Sequence, residues 1–278
     1  MKKLLALFDK KSAATSSSVL DVAKAGPFEL DGIFLQERKS SIDFQYPLLN
    51  DISLVQSSFF DDRTERENME IEKHKLRLIK HEFAAEGLPF ETGCLHESSL
   101  RKLVEVSAGA DLMMFDANMN LSEYLHTPMN VSMEDVLVKA SCPLYLFTKQ
   151  EATVQKVILA YDGSPSSLYA IRMYRNLFRG WKNLPTVLLS LNITGTQPKH
   201  NRQMLDDGLR KHFGHFDTET QDGELRVELV NYIQQQTADV LVVTGCEGGE
   251  ALSRKFHRNL GSIVLKQTRA SVFITHQS

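Results

Sequence analysis

Residues Ala238-Asp239-Val240-Leu241-Val242-Val243-Thr244-Gly245-Cys246-Glu247-Gly248 decide the architecture. A continuous run of β-branched residues and leucine reads as a strand buried on both faces, as occurs in parallel sheets with helices on either side. After Thr244 the run breaks into a loop bearing two glycines. At the carboxyl end of a parallel strand such a loop leaves backbone N–H groups unpaired, and ligands bind there. A similar run, Ala110-Asp111-Leu112-Met113-Met114-Phe115-Asp116-Ala117, occurs earlier, but the Asn118-Met119-Asn120 that follows has no glycine. A loop without glycine approaches phosphate less easily. The chain reads as one fold written twice, with ligand chemistry kept in the later copy.

Working outward, the later copy predicts a strand over Lys156–Asp162, a helix starting at Ser164-Pro165, and a strand over Thr186–Asn192. Serine caps free N–H groups, and proline suits a first turn where its missing N–H has no partner. Helical spacing of Met204, Leu205, Leu209 and Phe213 predicts a helix over Arg202–Phe213, ended by Gly214. A strand over His215–Gln221, a helix over Glu224–Gln236, a strand over Ala238–Thr244, a helix over Leu260–Gln267 and a strand over Ser271–His276 complete the copy. Strands alternating with helices imply right-handed parallel crossovers.

The first half repeats this order. Strands are expected over Lys3–Asp9, Leu30–Leu35, Phe90–Leu95, Asp111–Asp116 and Pro143–Phe147. Helices are expected over Ser16–Ala25, Thr64–Ala85, Ser99–Ser107 and Met133–Ala140. The boundary falls in the polar stretch Lys149–Gln155, dividing the chain into 1–150 and 151–278. Extra length between Gln36 and Asp62 carries Phe44, Tyr46, Leu48, Leu49, Phe59 and Phe60, which marks an ordered excursion over a surface.

Composition narrows the function. A length of 278 residues suits two domains, and a net charge of −3 offers no basic field for nucleic acid or anionic membrane. Cys94, Cys142 and Cys246 stand singly, with no C-x-x-C pair for zinc or a disulfide cycle, which fits a reducing cytoplasm. The apolar run at the start stops at Asp9, too early for a signal peptide, and reads as the first strand. His74 and His81 read as surface histidines, and Cys246 as a spectator thiol. The sequence has no H-E-x-x-H and no G-x4-G-K-[S/T] loop, and no spacing that suggests a nucleophile–histidine pair. Enzymatic turnover has little support beyond slow ATP hydrolysis, since no residue reads as a dedicated base for water.

Asp162-Gly163-Ser164 after the first strand of the second half, with Thr244-Gly245-Cys246-Glu247-Gly248 after its fourth, resembles the universal stress protein family in a tandem form. The echo in the first half is fainter, in Phe8-Asp9-Lys10 and Ala140-Ser141-Cys142-Pro143-Leu144-Tyr145-Leu146-Phe147. The resemblance implies an α/β fold of two five-stranded parallel-sheet domains in tandem, Rossmann-like and of the adenine nucleotide alpha hydrolase kind. It implies a degenerate first domain and a nucleotide site in the second. ATP or another adenine nucleotide, accompanied by magnesium, would be the ligand. Ala160, Asp162 and Leu191 would surround the base, and Thr244, Gly245 and Gly248 would open the phosphate loop, with Gly261 and Ser262 closing it.

The family's loop reads G-x2-G-x9-G-[S/T], whereas here Gly249 through Leu260 separate Gly248 from Gly261, and the nine-residue spacing ends on Arg258. Arg258 is therefore a candidate anion contact, supported by Arg254, Lys255 and His257 in the same segment. Two readings stand side by side. One is a cytoplasmic stress-response sensor binding nucleotide in its second domain. The other is a scaffold that binds no nucleotide, its fifth strands serving as edges that pair domains within the chain and chains within a homodimer.

Overall fold

A computed structural model of the chain describes residues 1–9, 17–35, 70, 74–75, 77–95, 100–125, 133–148, 153–191, 199–221, 225–247 and 260–277. The Gln36–Asp62 excursion, the Arg254–Arg258 cluster, Gly248 and most of the expected boundary lie outside the described residues.

Among the described residues, ten strands form a single sheet. In chain order they are β1 (Lys2–Phe8), β2 (Phe28–Leu35), β3 (Phe90–Leu95), β4 (Leu112–Asp116), β5 (Leu144–Phe147), β6 (Lys156–Tyr161), β7 (Thr186–Leu191), β8 (Phe216–Gln221), β9 (Val240–Glu247) and β10 (Ser271–Gln277). Their spatial order is β3-β2-β1-β4-β5-β10-β9-β6-β7-β8, so each set of five repeats the order 3-2-1-4-5. Among these described strands, pairing is parallel within each half and antiparallel between β5 and β10, where Tyr145 lies opposite Phe273. Two five-stranded α/β domains thus stand in tandem.

The helices are α1 (Ser17–Ala25), α2 (helical at 77–85), α3 (Leu100–Ser107), α4 (Met133–Lys139), α5 (Pro165–Leu177), α6 (Lys199–Arg210), α7 (Leu225–Gln234) and α8 (Leu260–Gln267). Alternation along each strand separates two cores. Leu4, Ala6 and Phe8 of β1 face one core with residues of α1, α2, α5 and α6. Leu5 and Leu7 face the other with residues of α3, α4, α7 and α8. Equivalent helices of the two halves therefore cover the same side of the sheet, as a twofold relation across the β5·β10 seam requires.

Three expectations change. β9 does not stop at Thr244 but runs to Glu247, because β10 continues beside it as far as Gln277. The helix expected to end at Gly214 stops at Arg210; Phe213 still packs in the core and the Gly214 N–H donates to the Lys182 carbonyl, so the glycine belongs to the turn into β8. β5 and β10 are not sheet edges, since each has a neighbour on both sides, and the described sheet ends instead at β3 and β8. Unpaired backbone groups on the two fifth strands satisfy one another within the chain.

The seam is tightly closed. A Cβ built on Gly26 would lie 2.2 Å from the Leu177 carbonyl oxygen, and one on Gly180 would lie 2.9 Å from that of Ala25. Phe178 stacks on Trp181 with ring centroids 4.9 Å apart, and Phe28, Tyr145 and Phe273 pack their rings around Phe178. The Asp21 carboxylate accepts the Val154 N–H at 2.9 Å and the Trp181 indole N–H, tying α1 to the second half. Burial raises the Asp21 pKa above the ordinary carboxylate value, opposed by those two donors.

Candidate functional site

In each half the first strand connects outward on one side, while the fourth strand lies on its other side. That is a topological switch point, and the crevice outside the carboxyl ends of such strands is where open α/β sheets bind ligands. In the second half the switch point lies between β6 and β9.

At its lip, Asp162 follows β6. Its Oδ1 accepts the Ser164 N–H at 2.9 Å, closing a short turn in which Gly163 takes φ +84°. That φ lies in the left-handed region, which favours glycine. Ser164 then caps α5, its hydroxyl accepting the Ser167 N–H at 3.1 Å, with Pro165 in the first turn. The sequence Asp-Gly-Ser-Pro thus builds a strand-to-helix corner from local forces alone. The Ser164 carbonyl accepts the Leu168 N–H, the first bond of the helix, and the Ser167 hydroxyl as well.

The other expected residues separate by sheet face. Ala160 and Thr244 each follow the last paired residues of β6 and β9, Leu159 and Val243, and both are buried. Ala160 packs in the core beneath α7 and α8 with Val242, and by strand alternation Thr244 continues that face. Leu191 closes β7 one residue beyond the pair Tyr161–Ser190, level with Asp162. Gly261 lies in the first turn of α8, where a Cβ would lie 2.5 Å from Cδ1 of Ile274. Ser262 follows it in that turn. Ala160, Asp162, Leu191, Thr244, Gly261 and Ser262 therefore come from adjoining carboxyl ends and the helix beside them.

Gly245 belongs elsewhere. It is buried within β9 opposite Thr275, and a Cβ there would fall 2.2 Å from the Ser166 carbonyl oxygen and 2.8 Å from the Ser167 nitrogen. The glycine lets the first turn of α5 press onto the sheet, on the face away from Ala160. Sequence reasoning assigned it to a loop because a strand that admits a helix backbone and a strand that ends look alike in one dimension. Gly248 and Arg258 fall outside the described residues. Thr275, which the sequence did not single out, is fully buried beside Gly245, and its hydroxyl has no hydrogen-bond partner among the described residues.

The first half closes the same place differently. Asp116 ends β4 and accepts both the backbone N–H and the side-chain amide of Asn118, at 2.8 and 3.0 Å. Asn118 also donates to the Thr148 carbonyl at 3.1 Å. The chain then folds back through a 3-10 turn at Leu121–Glu123 and buries Met119, Leu121, Tyr124 and Leu125 in the core beneath α3 and α4. Asp9, the counterpart of Asp162 by position after β1, is 4% exposed. Apolar side chains pack at the carboxyl ends there.

Among the described residues no group of three or more His, Cys, Asp or Glu side chains is placed to hold a metal ion. Cys142 is buried, and burial pushes its thiol up to about 12, which keeps it protonated and unreactive. No helix among the described residues is long and apolar enough to cross a membrane.

No protein-family model matches the sequence, and no curated protein matches it significantly. Solved structures do match. A universal stress protein from Archaeoglobus fulgidus superposes with a TM-score of 0.67 at 14% identity, over 99% of this chain and 98% of that one. A putative universal stress protein from Pseudomonas aeruginosa gives 0.56 at 14% identity, over 99% and 93%. The cytoplasmic domain of a prokaryotic cation chloride cotransporter gives 0.53 at 12% identity, over 98% and 94%. From end to end, this chain has the fold of the universal stress proteins, two α/β domains in tandem.

Proposed function

We propose that the chain is a tandem universal stress protein, a cytoplasmic stress-response sensor or regulator that binds an adenine nucleotide in its second half, residues 151–278. The observation that carries this reading is the convergence of Ala160, Asp162, Leu191 and Thr244 on the switch point between β6 and β9. The corresponding end of β4 in the first half, residues 1–150, is packed with Met119, Leu121, Tyr124 and Leu125. The small Ala160 side chain would lie against a planar base, and the half-exposed carboxylate of Asp162 would accept from an exocyclic amine or a ribose hydroxyl. Because the Ser164, Ser167 and Leu168 N–H groups at the α5 terminus are already engaged, phosphates would be held from the α8 side, by backbone N–H groups at Gly261 and Ser262 and by Gly248 and Arg258 in the sequence before them. Bound nucleotide would bring magnesium on its phosphates, and any hydrolysis would be slow for want of a base.

The test is a thermal-shift and calorimetry series with ATP, ADP and AMP, with and without magnesium. A ligand at a hundredfold its dissociation constant adds about 2.7 kcal/mol to stability. The expected result is a shift that Asp162→Ala abolishes and Asp9→Ala does not. No shift with any nucleotide overturns the proposal.

A second reading has its own observation. The Asp162 carboxylate is already engaged by Ser164, and Gly245 packs against α5, so both residues have architectural work without a ligand. On that reading the chain is a scaffold whose two halves pair through the β5·β10 seam. A homodimer would then need a surface other than the fifth strands, which are occupied.

A further inference from the structure

Beside the seam, the carboxyl end of α5 runs through Phe178 into a 3-10 turn at Arg179–Asn183, and the turn after α6 packs against both. The Gly214 N–H donates to the Lys182 carbonyl at 2.9 Å, and Phe213 stacks on Tyr174 with ring centroids 6.1 Å apart. These ties hold His212 within reach of the charges of Arg175, Lys182 and Arg179. Burial lowers the His212 pKa, and the three cations lower it further, so three fixed positive charges surround a ring that is neutral at neutral pH.

Among the described residues, no carboxylate pairs with Arg175, Arg179 or Lys182. Arg179 and Lys182 are exposed, whereas Arg175 is half-buried, and its Nε is closed off from solvent with no hydrogen-bond partner. A cation held half-buried without an opposite charge raises the free energy of the empty protein, and a bound anion lowers it. The negative end of α5 does not account for the cluster, because a helix end supplies only about half a charge. Lys2, outside this count, already serves that end by donating to the Asn176 carbonyl.

We infer that Arg175, Arg179 and Lys182 form a binding site for a free polyphosphate chain. Linked phosphates carry several charges on neighbouring groups, which suits three cations gathered round one point, and guanidinium groups meet their oxygens in a forked geometry. The carboxylates of an acidic peptide stand on separate side chains and converge less readily. The rings nearby, Phe178, Trp181 and Phe213, are buried and offer a nucleobase no stacking surface. With a net charge of −3 on the whole chain, the cluster runs against the prevailing sign and draws a polyanion to this place. The 13 residues of α5, about 20 Å of helix, separate it from Asp162, so the site does not depend on the nucleotide reading.

Calorimetric titration of tripolyphosphate into the full chain, at fixed ionic strength, tests the assignment. The expected result is saturable binding that weakens about tenfold in each of Arg175→Met, Arg179→Ala and Lys182→Ala, the loss of one charged hydrogen bond, and that Asp162→Ala leaves unchanged. Arg179 and Lys182 are exposed, so their variants should melt as the parent does without ligand. Arg175→Met keeps the packing of the stem and loses no acceptor, so it should melt no lower. A lower melting temperature there would reveal an internal acceptor, such as Asp206 of α6, whose Oδ1 is buried with no partner among the described residues, and would overturn the assignment. Absence of saturation, unchanged affinity in the triple variant, hexaglutamate binding as tightly as tripolyphosphate, or ATP binding more tightly than tripolyphosphate to Asp162→Ala each overturns it as well.

Discussion

The two halves share a strand order and differ at one register position. Leu4, five residues before Asp9, pairs with Leu112; Val157, five before Asp162, pairs with Leu241. Counting four residues on places Asp116 of the first half where the second has Gly245. The runs beginning Ala110-Asp111 and Ala238-Asp239, read side by side, are therefore offset by one residue in space. With aspartate there, β4 ends in a tight turn and the following residues fold inward as apolar packing. With glycine there, α5 presses onto the strand, and β9 runs two residues further. At this one position aspartate goes with a strand end packed by apolar side chains, and glycine with a strand that admits α5.

The comparison breaks most visibly at Gly245. Gly245→Val puts branched carbon into the α5 backbone, which cannot move aside as a flexible side chain would, and should cost around 4 kcal/mol, above the usual range for overpacking. Chemical denaturation reads that loss directly. Asp116→Ala at the matching position should cost only about 1 kcal/mol, for one turn-forming acceptor. Equal losses at the two positions would refute the correspondence.

The filling of the first half is tested next. Leu121→Ala removes a buried side chain beneath α3 and α4 and should destabilise by about 3 kcal/mol. It should not create nucleotide binding, because an emptied apolar space offers a phosphate no donors. A nucleotide-dependent shift appearing in Leu121→Ala would show that packing alone silences the first half.

Smaller again is the structural cost of Asp162→Ala, about 1 kcal/mol for the lost acceptor at the start of α5. Asp162→Asn keeps an oxygen for the Ser164 N–H and should recover most of that stability. Nucleotide affinity need not recover with it, and this split separates the ligand role from the turn role.

The smallest effect concerns the seam. Burial raises the Asp21 pKa in the folded chain, so the folded state holds this proton more tightly than the unfolded state. Stability from this group is therefore greatest at acid pH and falls as pH rises from the ordinary carboxylate value through the raised one. Above that window the penalty is constant. Asp21→Asn keeps an acceptor for Val154 and Trp181 without the charge, and should flatten this part of the melting-temperature profile. A variant whose profile parallels the parent's between pH 3 and 6 would remove Asp21 from the account; that range brackets the ordinary aspartate value of about 3.9.

Much of the fold was legible because its signals are local. The apolar runs at Lys156, Thr186 and Ala238 became β6, β7 and β9 within a few residues, and Ser164-Pro165 marked the start of α5. Asp162 was legible as a strand-end carboxylate, although its bond to Ser164 shows that the same signal serves a turn. Gly245 was misplaced because its reason lies in Ser166, almost eighty residues away in sequence.

The sequence by itself determined that strands and helices alternate, that the pattern occurs twice, and that the corner after β6 is built from Asp-Gly-Ser-Pro. Each of these depends on neighbours along the chain, through side-chain alternation, capping and φ. Tertiary structure alone decided that β5 and β10 meet antiparallel, that Met119, Leu121, Tyr124 and Leu125 turn inward, and that Gly245 serves packing. Those outcomes depend on which distant backbone arrives alongside, and an unfilled Cβ or an unpaired N–H acquires its meaning only from what approaches it.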